Sequence, residues 1–372
     1  MERFTRSIAE IWQHWEPNAK AGLHPMVFTT YEDHSLVFPT LKSLDRDAWA
    51  AAYSAVADPI AALAREAEAA GDVQSAKDHY FHAYGLYRMA RFPTTNSAGK
   101  RAAYKKSQEM YRATTRYLPY AFERVEIPFS GKPGEGDHAV AYFIRPKDSA
   151  ERLPLVIMWA GIDTFKEDRT EIWEPIIAAK LSLLLIDMPG TGDAPLKGSE
   201  DAERLWDHVL AWCAKRPEID AERIGAWGGS TGGYWAAKVA HTHKDRLAAV
   251  VAQGGCAHHA FTPDWIEKSQ HGSYAFELAE TLASAFGRAG FDEWVDYCPR
   301  LSLLKQGVLD RPCTKLLLVN GTQDTIFPIE DMHLLLEHGS PKTARFYPVG
   351  HMGYTPDTNP TIVRWLAETL RA

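Results

Sequence analysis

Three residues far apart in the chain share a local setting that permits nucleophilic chemistry. Ser230 stands in Gly228-Gly229-Ser230-Thr231-Gly232, a GxSxG pattern placed after the apolar run "IGAW" and before the Ala-rich "YWAAKVAH". In such a strand–turn–helix the serine projects from a sharp turn. The residues two before and two after it must be small, because strand and helix cross closely there. The helix N-terminus behind it sets unpaired N–H groups beside any developing oxyanion. A serine stays inert without a base to take its proton and an acid to orient that base. "TKLLLVNGTQDTIFP" is an apolar run ending in a turn with Asp324, and "ARFYPVGHMGY" is another ending in a turn with His351. The order Ser, Asp, His, each at the C-terminal end of a predicted strand, is what one sheet edge needs to assemble a triad. Glu330 and Asp331 compete for the acid's place but fall inside the next predicted helix. Of fifteen histidines, only His351 ends a strand beyond Asp324 with glycines on either side. The alternative is that Asp324 and His351 are ordinary turn residues.

An oxyanion needs two backbone donors. The N–H of Thr231 is one candidate, and that of Ile162, in the loop "GIDTFKED" after "LPLVIMWA", is the other. Asp163 and Lys166 flank Ile162 and either hold this loop, touch substrate or form a solvated ion pair. His258 and His259 follow the strand "LAAVVAQGG" at the same edge, and one of them is a candidate substrate contact, as is Trp265 in the segment beyond. Adjacent histidines do not readily ligate one metal, and with no carboxylate cluster nearby no metal site is expected. The "HTH" at His241 to His243 is expected on the surface. The glycines do not make a phosphate cradle: "GGSTGG" runs into Tyr-Trp rather than Lys, its spacing does not fit GxGxxG, and "DMPGTGDAP" is a tight turn. No cofactor is expected.

The elements that must position these residues begin to alternate at Phe122. Short β-rich runs appear at "ERVEIPF", "AVAYFIR", "LPLVIMWA", "LSLLLIDM", "RIGAWGG", "LAAVVAQG", "TKLLLVNG" and "ARFYPVG". Helix-like stretches fall between most of them, at 169–180, 199–216, 231–243, 329–337 and 361–370. Nearly continuous apolar strands separated by helices argue for a parallel sheet covered on both faces. The Gly- and Pro-rich "SGKPGEGDH" predicts that the first two strands form a hairpin, so the sheet opens antiparallel. The interval 256–312 is too long for a simple connection and is expected to hold extra helices at the site's edge. Residues 1–121 are different: helix-period segments over 47–70, 73–91 and 98–117 make a helical domain, with a tight turn at Gly71-Asp72 and a stop before Pro93. Its small-and-aromatic pattern (Ala76, Tyr80, Ala83, Tyr87) has no second copy, which favours a cap over a solenoid. Tyr80, His82, Tyr84 and Tyr87 either line a ligand cavity or pack between helices.

Composition is that of an ordinary globular protein, 45% hydrophobic and 24% charged. A formal net charge of −7 with mixed signs gives no broad positive field, so nucleic acid is an unfavoured partner. Cys213, Cys256, Cys298 and Cys313 are scattered without ligand spacing, as reduced thiols would be. The charged N-terminus is unlike a secretory signal, and no apolar run approaches bilayer length, so a cytoplasmic chain without membrane contact is expected. Trp12, Trp15, Phe28 and Phe38 in the first 45 residues are candidates for a homodimer interface.

With these residues placed, the chain resembles the α/β-hydrolases. More narrowly it is similar to the subfamily with an N-terminal helical cap that contains the fungal yellowish-green polyketide-shortening hydrolases and 2,6-dihydroxypseudooxynicotine hydrolase. "YRMARFP", "ERVEIPF", "WAGIDTFKED", "WGGSTGGYWAAKVAHTHKDRLAAVVAQGG" and "LLLVNGTQDTIFP" through "GHMG" carry the likeness. The resemblance implies an α/β-hydrolase domain over 122–372 beneath a helical cap over 1–121, with Ser230 as nucleophile, His351 as base and then acid, and Asp324 as its orienter. It implies cleavage of a carbon–carbon bond beside a ketone in an aromatic small molecule. "WAGID" stands where lipase-like relatives carry HGGG, which leaves the second oxyanion donor less defined. The triad alone does not separate C–C cleavage from that of an ester or lactone. A non-catalytic ligand-binding protein on the same fold is the rival from another class.

Overall fold

The computed structural model describes residues 3–147, 149 and 151–371. Two compact units divide the chain. One is Phe4–Pro119 with Ala275–Leu278, and the other is Tyr120–Tyr274 with Ala279–Ala372.

The first unit is all helix: α1 (Ile8–Ala21), α2 (Tyr31–Val37), α3 (Arg46–Ala69), α4 (Val73–Arg91) and α5 (Ala98–Thr115). Each begins at a side chain that accepts from the first-turn amides, namely Ser7, Thr30, Asp45, Asp72 and Ser97. Such caps satisfy amides the helix leaves without partners. Ser7 with Glu10 and Thr30 with Asp33 close full capping boxes. Between α3 and α4 the chain reverses at Gly71, whose φ of +76° suits glycine. Ala57, Ala61 and Ala64 of α3 and Ala76, Ala83 and Ala90 of α4 are buried, so small side chains let the helices approach closely. Trp15 and Phe38 do not form an apolar outer face. They are buried in this unit's own core, with Trp15 edge-on to Trp49 at 6.1 Å and Trp49 stacked on Phe276 at 5.0 Å. Of its two readings, Tyr80 has the contacts of a residue that packs between helices. Its ring is buried and its hydroxyl donates to Glu68 Oε2 at 2.7 Å, tying α4 to α3, as Tyr87 does through Asp58 at 2.5 Å. His34 lies fully buried with its ring nitrogens 2.8 Å from Thr29 Oγ1 and 2.9 Å from the Tyr53 hydroxyl.

The second unit is built on one eight-stranded sheet, in the order β1-β2-β4-β3-β5-β6-β7-β8. Its strands are β1 (Tyr120–Pro128), β2 (His138–Pro146), β3 (Leu153–Trp159), β4 (Ser182–Ile186), β5 (Ile219–Gly229), β6 (Ala249–Gln253), β7 (Lys315–Gly321) and β8 (Thr343–Tyr347). The β1–β2 hairpin pairs Tyr120 with Pro146 through Pro128 with His138, and β2 also runs antiparallel to β4. Every later pairing is parallel. Every residue of β3, β4 and β6 is buried, as expected where helices cover both faces. The helices are α6 (Trp173–Ala178), α7 (Arg204–Cys213), α8 (Thr231–Thr242), α9 (Pro263–Gln270), α10 (Leu278–Ala285), α11 (Phe291–Tyr297), α12 (Ile329–Glu337) and α13 (Thr358–Arg371). The helix expected over 169–180 is a 3-10 turn at Thr170–Ile172 followed by the short α6, and that over 199–216 shortens to α7. His241 and His243 are buried, against expectation: His241 Nδ1 is 2.8 Å from the Arg311 carbonyl, and His243 Nε2 is 3.4 Å from Asp207. Desolvation lowers the pKa of both rings. The four cysteines are buried free thiols. No helix among the described residues is long and apolar enough to cross a membrane.

Candidate active site

Ser230 ends β5 and precedes α8 with φ +56° and ψ −128°. A left-handed backbone is costly for any residue with a Cβ and persists only where the surroundings impose it. Here they do. A Cβ on Gly228 would strike the Gly232 carbonyl, and one on Gly232 the Ala160 carbonyl. Gly233, outside the motif, is held as tightly: its Cβ would lie 2.6 Å from Gly255 Cα. The Ser230 N–H donates to the Gln253 carbonyl at 2.8 Å, and Trp159 Nε1 donates to the Gly232 carbonyl at 2.8 Å. Sheet and helix are thus clamped on both sides of the serine.

Asp324 and His351 reach the same point from the ends of β7 and β8. His351 Nε2 is 2.8 Å from Ser230 Oγ, and its Nδ1 is 2.7 Å from Asp324 Oδ2. An ionised carboxylate only accepts, so Nδ1 carries the proton and Nε2 is free to accept the serine's. Asp324 Oδ1 takes the amides of Ile326 and Phe327 at 2.8 and 3.1 Å, and Oδ2 also takes Asn320 Nδ2 at 3.0 Å. Burial alone raises the pKa of this carboxyl. The charge and hydrogen bond of His351, with those of Asn320 and the Ile326 amide, outweigh burial and hold it below the usual carboxylate value. The Asp324 side chain is fully buried, whereas that of His351 keeps 16% of its surface exposed. Of the competing acids, Glu330 stands in the first turn of α12, as does Asp331, which is buried and accepts the amides of His258, His259 and Ala260 at 2.8, 2.7 and 3.1 Å.

Two buried amides that strand patterning treats as ordinary positions bind these turns together. Gln253, last in β6, accepts from Trp227 Nε1 at 3.0 Å and donates to the Met352 carbonyl at 3.0 Å, while its own carbonyl holds the Ser230 amide. Asn320 in β7 orients Asp324 and accepts from the Met352 amide at 3.1 Å. Met352, at φ +69°, returns to the serine with its sulfur 2.9 Å from the Ser230 nitrogen. The signal for both amides was a polar residue inside an otherwise apolar terminal strand segment.

Thr231 opens α8, so its N–H has no intrahelical acceptor, and its hydroxyl is buried without a hydrogen-bond partner. Ile162 is buried in the loop after β3, and a Cβ on the preceding Gly161 would lie 2.9 Å from Ser230 Cβ. The loop therefore passes against the serine. Asp163 is buried and accepts from the Tyr274 hydroxyl at 2.9 Å and from Thr164 Oγ1 at 3.1 Å.

Of the three readings open to Lys166, the solvated ion pair is excluded and its contacts are those of a residue that holds the loop. Its fully buried ammonium lies 2.8 Å from Asp187, 2.6 Å from Asp193 and 3.1 Å from Glu167. Its amide also donates to Asp187 Oδ1 at 2.9 Å, which pins the loop to the end of β4. Burial pushes Glu167 above its usual carboxylic value despite the ammonium beside it, and Tyr142 donates to it at 2.9 Å.

His258 and His259 are half-buried and lie beside each other at 4.9 Å. His258 Nδ1 is 2.7 Å from Ser302 Oγ, and neither ring hydrogen-bonds the triad. Trp265 Nε1 donates to the Ile326 carbonyl at 2.9 Å, bracing the turn of Asp324. No group of three potential metal-ligating side chains occurs among the described residues.

A mostly parallel sheet opening with an antiparallel hairpin, a serine at a positive-φ turn before a helix, and histidine and aspartate following later strands define an α/β-hydrolase. The family described as "Esterase FrsA-like" matches residues 36–370, and the chain belongs to it. Esterase FrsA of Yersinia pestis (strain Pestoides F) is 26% identical over 270 residues, 71% of this chain and 63% of that protein, so the chain spans less than two-thirds of this relative's length. Among solved structures, 2,6-dihydroxy-pseudo-oxynicotine hydrolase superposes with a TM-score of 0.74 at 19% identity, covering 96% of this chain and 95% of its own. Wild-type AbyA5 gives 0.72 at 21%, covering 98% and 99%. An esterase of Pyrobaculum calidifontis gives 0.53 at 21%, covering 73% and 92%. At these identities the likeness is one of fold.

Proposed function

We propose that Ser230, His351 and Asp324 are the nucleophile, base and orienting acid of a serine hydrolase that cleaves the carbon–carbon bond beside a ketone in an aryl 1,3-diketone or aromatic polyketide. The observation that carries the triad is the imidazole spanning Ser230 Oγ and Asp324 Oδ2 at 2.8 and 2.7 Å. His351 Nε2 takes the hydroxyl proton as Oγ bonds to the carbonyl carbon, and the carbonyl electrons move onto oxygen. The Thr231 and Ile162 amides receive that oxyanion. Its collapse breaks the bond to the flanking carbon, whose electron pair leaves as an enolate and takes the proton back from Nε2. Water, deprotonated by the same nitrogen, then attacks the acyl-serine, releases a carboxylic acid and returns the proton to Oγ.

Support for the carbon–carbon reading comes from the likeness over nearly the whole chain to a protein named 2,6-dihydroxy-pseudo-oxynicotine hydrolase. Ester cleavage uses the same groups, and membership of a family described as esterases favours it as the second reading. Incubation with a panel of aryl 1,3-diketones and naphthopyrones, beside p-nitrophenyl acetate, separates the two. Acid released from a diketone supports the first; ready cleavage of the acetate with no acid from any diketone leaves the esterase. A fluorophosphonate should label Ser230, and label should vanish in Ser230→Ala. An unlabelled wild-type chain would favour a ligand-binding protein.

A further inference from the structure

Of the two amides that face an oxyanion at Ser230, that of Thr231 is fixed by the first turn of α8, whereas that of Ile162 belongs to a loop. The Ile162 and Thr164 amides donate to no acceptor among the described residues. A free amide is what an oxyanion donor requires, but backbone without bonds of its own does not hold that amide still. The loop is held at its two ends. A Cβ on Gly161 would lie 2.9 Å from Ser230 Cβ, and the Lys166 amide donates to Asp187 Oδ1 at 2.9 Å. Between them stands Asp163, next after Ile162, whose buried carboxylate accepts from Thr164 Oγ1 at 3.1 Å, inside the loop, and from the Tyr274 hydroxyl at 2.9 Å, outside it.

Tyr274 lies half-buried in the segment between β6 and β7, and that segment is itself braced. The Ser273 amide donates to Thr325 Oγ1 at 3.0 Å, and the Thr325 hydroxyl donates to Ser273 Oγ at 3.0 Å. A Cβ on Gly272 would meet the Thr325 carbonyl at 2.7 Å, so the two backbones are in contact. Trp265 ties the same segment to the Ile326 carbonyl. Thr325 and Ile326 directly follow the acid of the triad, and all of these residues lie in the second unit. One strap therefore runs from the turn of Asp324 to the loop of Ile162, and the Tyr274 hydroxyl is its last link.

We propose that Tyr274 is a positioning residue for the reaction: through Asp163 its hydroxyl holds the Ile162 amide on the developing oxyanion. This role rests on the hydrolase reading of Ser230. It requires no contact between Tyr274 and substrate.

Tyr274→Phe removes the hydroxyl and keeps the ring. With p-nitrophenyl acetate, kcat should fall about 10- to 100-fold, as for an oxyanion donor displaced rather than deleted, and KM should change by less than about threefold. Phenyl trifluoromethyl ketone isolates the oxyanion. Ser230 Oγ adds to its carbonyl carbon, the hydroxyl proton passes to His351, and the tetrahedral oxyanion stays in the hole. Its affinity should fall by the same factor as kcat/KM. A tie that only supports the fold would lower the melting temperature without moving that affinity. In an Asp163→Ala background, Tyr274→Phe should change kcat by less than about twofold, because the tyrosine acts through that carboxylate. An unchanged kcat in Tyr274→Phe, a loss of kcat without loss of ketone affinity, or an equal loss in the Asp163→Ala background would each overturn the role of Tyr274 and leave Ser230 the nucleophile. A wild-type chain that neither cleaves the acetate nor takes a fluorophosphonate label removes the hydrolase reading, and this role with it.

Discussion

Replacing Asp324 by asparagine tests the triad where its hydrogen bonds are most completely determined. The carboxylate accepts from Ile326 and Phe327 on Oδ1 and from Asn320 and His351 on Oδ2. An asparagine fits the same volume but has one oxygen. That oxygen will face the two backbone amides, which cannot move, and the NH2 then faces Asn320 and His351. Two consequences follow. The amide opposes Asn320 donor to donor, costing about 1–3 kcal/mol of stability as a buried unmatched pair. It also donates to His351 Nδ1, so the imidazole proton moves to Nε2, where it blocks transfer from Ser230. Loss of the base tautomer should lower kcat by about 10⁴-fold with little change in KM. The folded carboxyl is held below its usual value. Its contribution to stability is therefore present above the unfolded carboxylate pKa and lost as pH falls through the folded one, and the asparagine variant should lack that acid-side loss. Steady-state kinetics on p-nitrophenyl acetate, fluorophosphonate labelling rates and melting curves from pH 2 to 7 measure these effects. A variant retaining more than about a tenth of wild-type kcat would refute the tautomer argument, because a wrongly protonated ring cannot serve as the base.

Gly233→Ala places a Cβ 2.6 Å from Gly255 Cα, backbone against backbone, and should destabilise by about 1–3 kcal/mol in urea titration. Lys166→Met leaves Glu167 and Asp187 buried without their ammonium and should cost about 3–5 kcal/mol, read as a fall in melting temperature together with slower labelling of Ser230. His34 is lowered to about 4 by burial, so the unfolded chain binds its proton first as pH drops below about 6.5. Stability should fall by about 3 kcal/mol between there and pH 4, and His34→Gln should flatten that slope in calorimetry.

Nearly continuous apolar runs made β3, β4, β6 and β7 legible, because strands buried on both faces need no alternation to be recognised, whereas the largely exposed β1 and β8 were legible only as short β-rich runs. The serine, aspartate and histidine were legible for a related reason: each directly follows such a run. Lys166 was not. The carboxylates around it include Asp187 and Asp193, which meet it only through tertiary folding, and "FKED" by itself reads as a solvated turn. Tyr80 and its neighbours carried an aromatic spacing that suits a cavity as well as a helix interface, and only the Glu68 carboxylate across α3 distinguishes them. The helix expected over 169–180 came out shorter because its first residues form a 3-10 turn and the α-helix runs only over Trp173–Ala178. Helices α1 and α2 lay outside the expected helices, because their signal is the capping boxes of Ser7 with Glu10 and Thr30 with Asp33, which hydrophobic pattern alone passes over.

Gln253 and Asn320 have a bearing on how the site is lost on heating. One side-chain amide joins the serine's indole neighbour Trp227 to the histidine's turn, and the other joins that turn to the aspartate. The base cannot drift from its acid while the nucleophile stays in place, since the same two strand ends hold all three. Inactivation by heat is then a single-exponential event that coincides with melting of the sheet, with no long-lived folded species that has lost its reactivity.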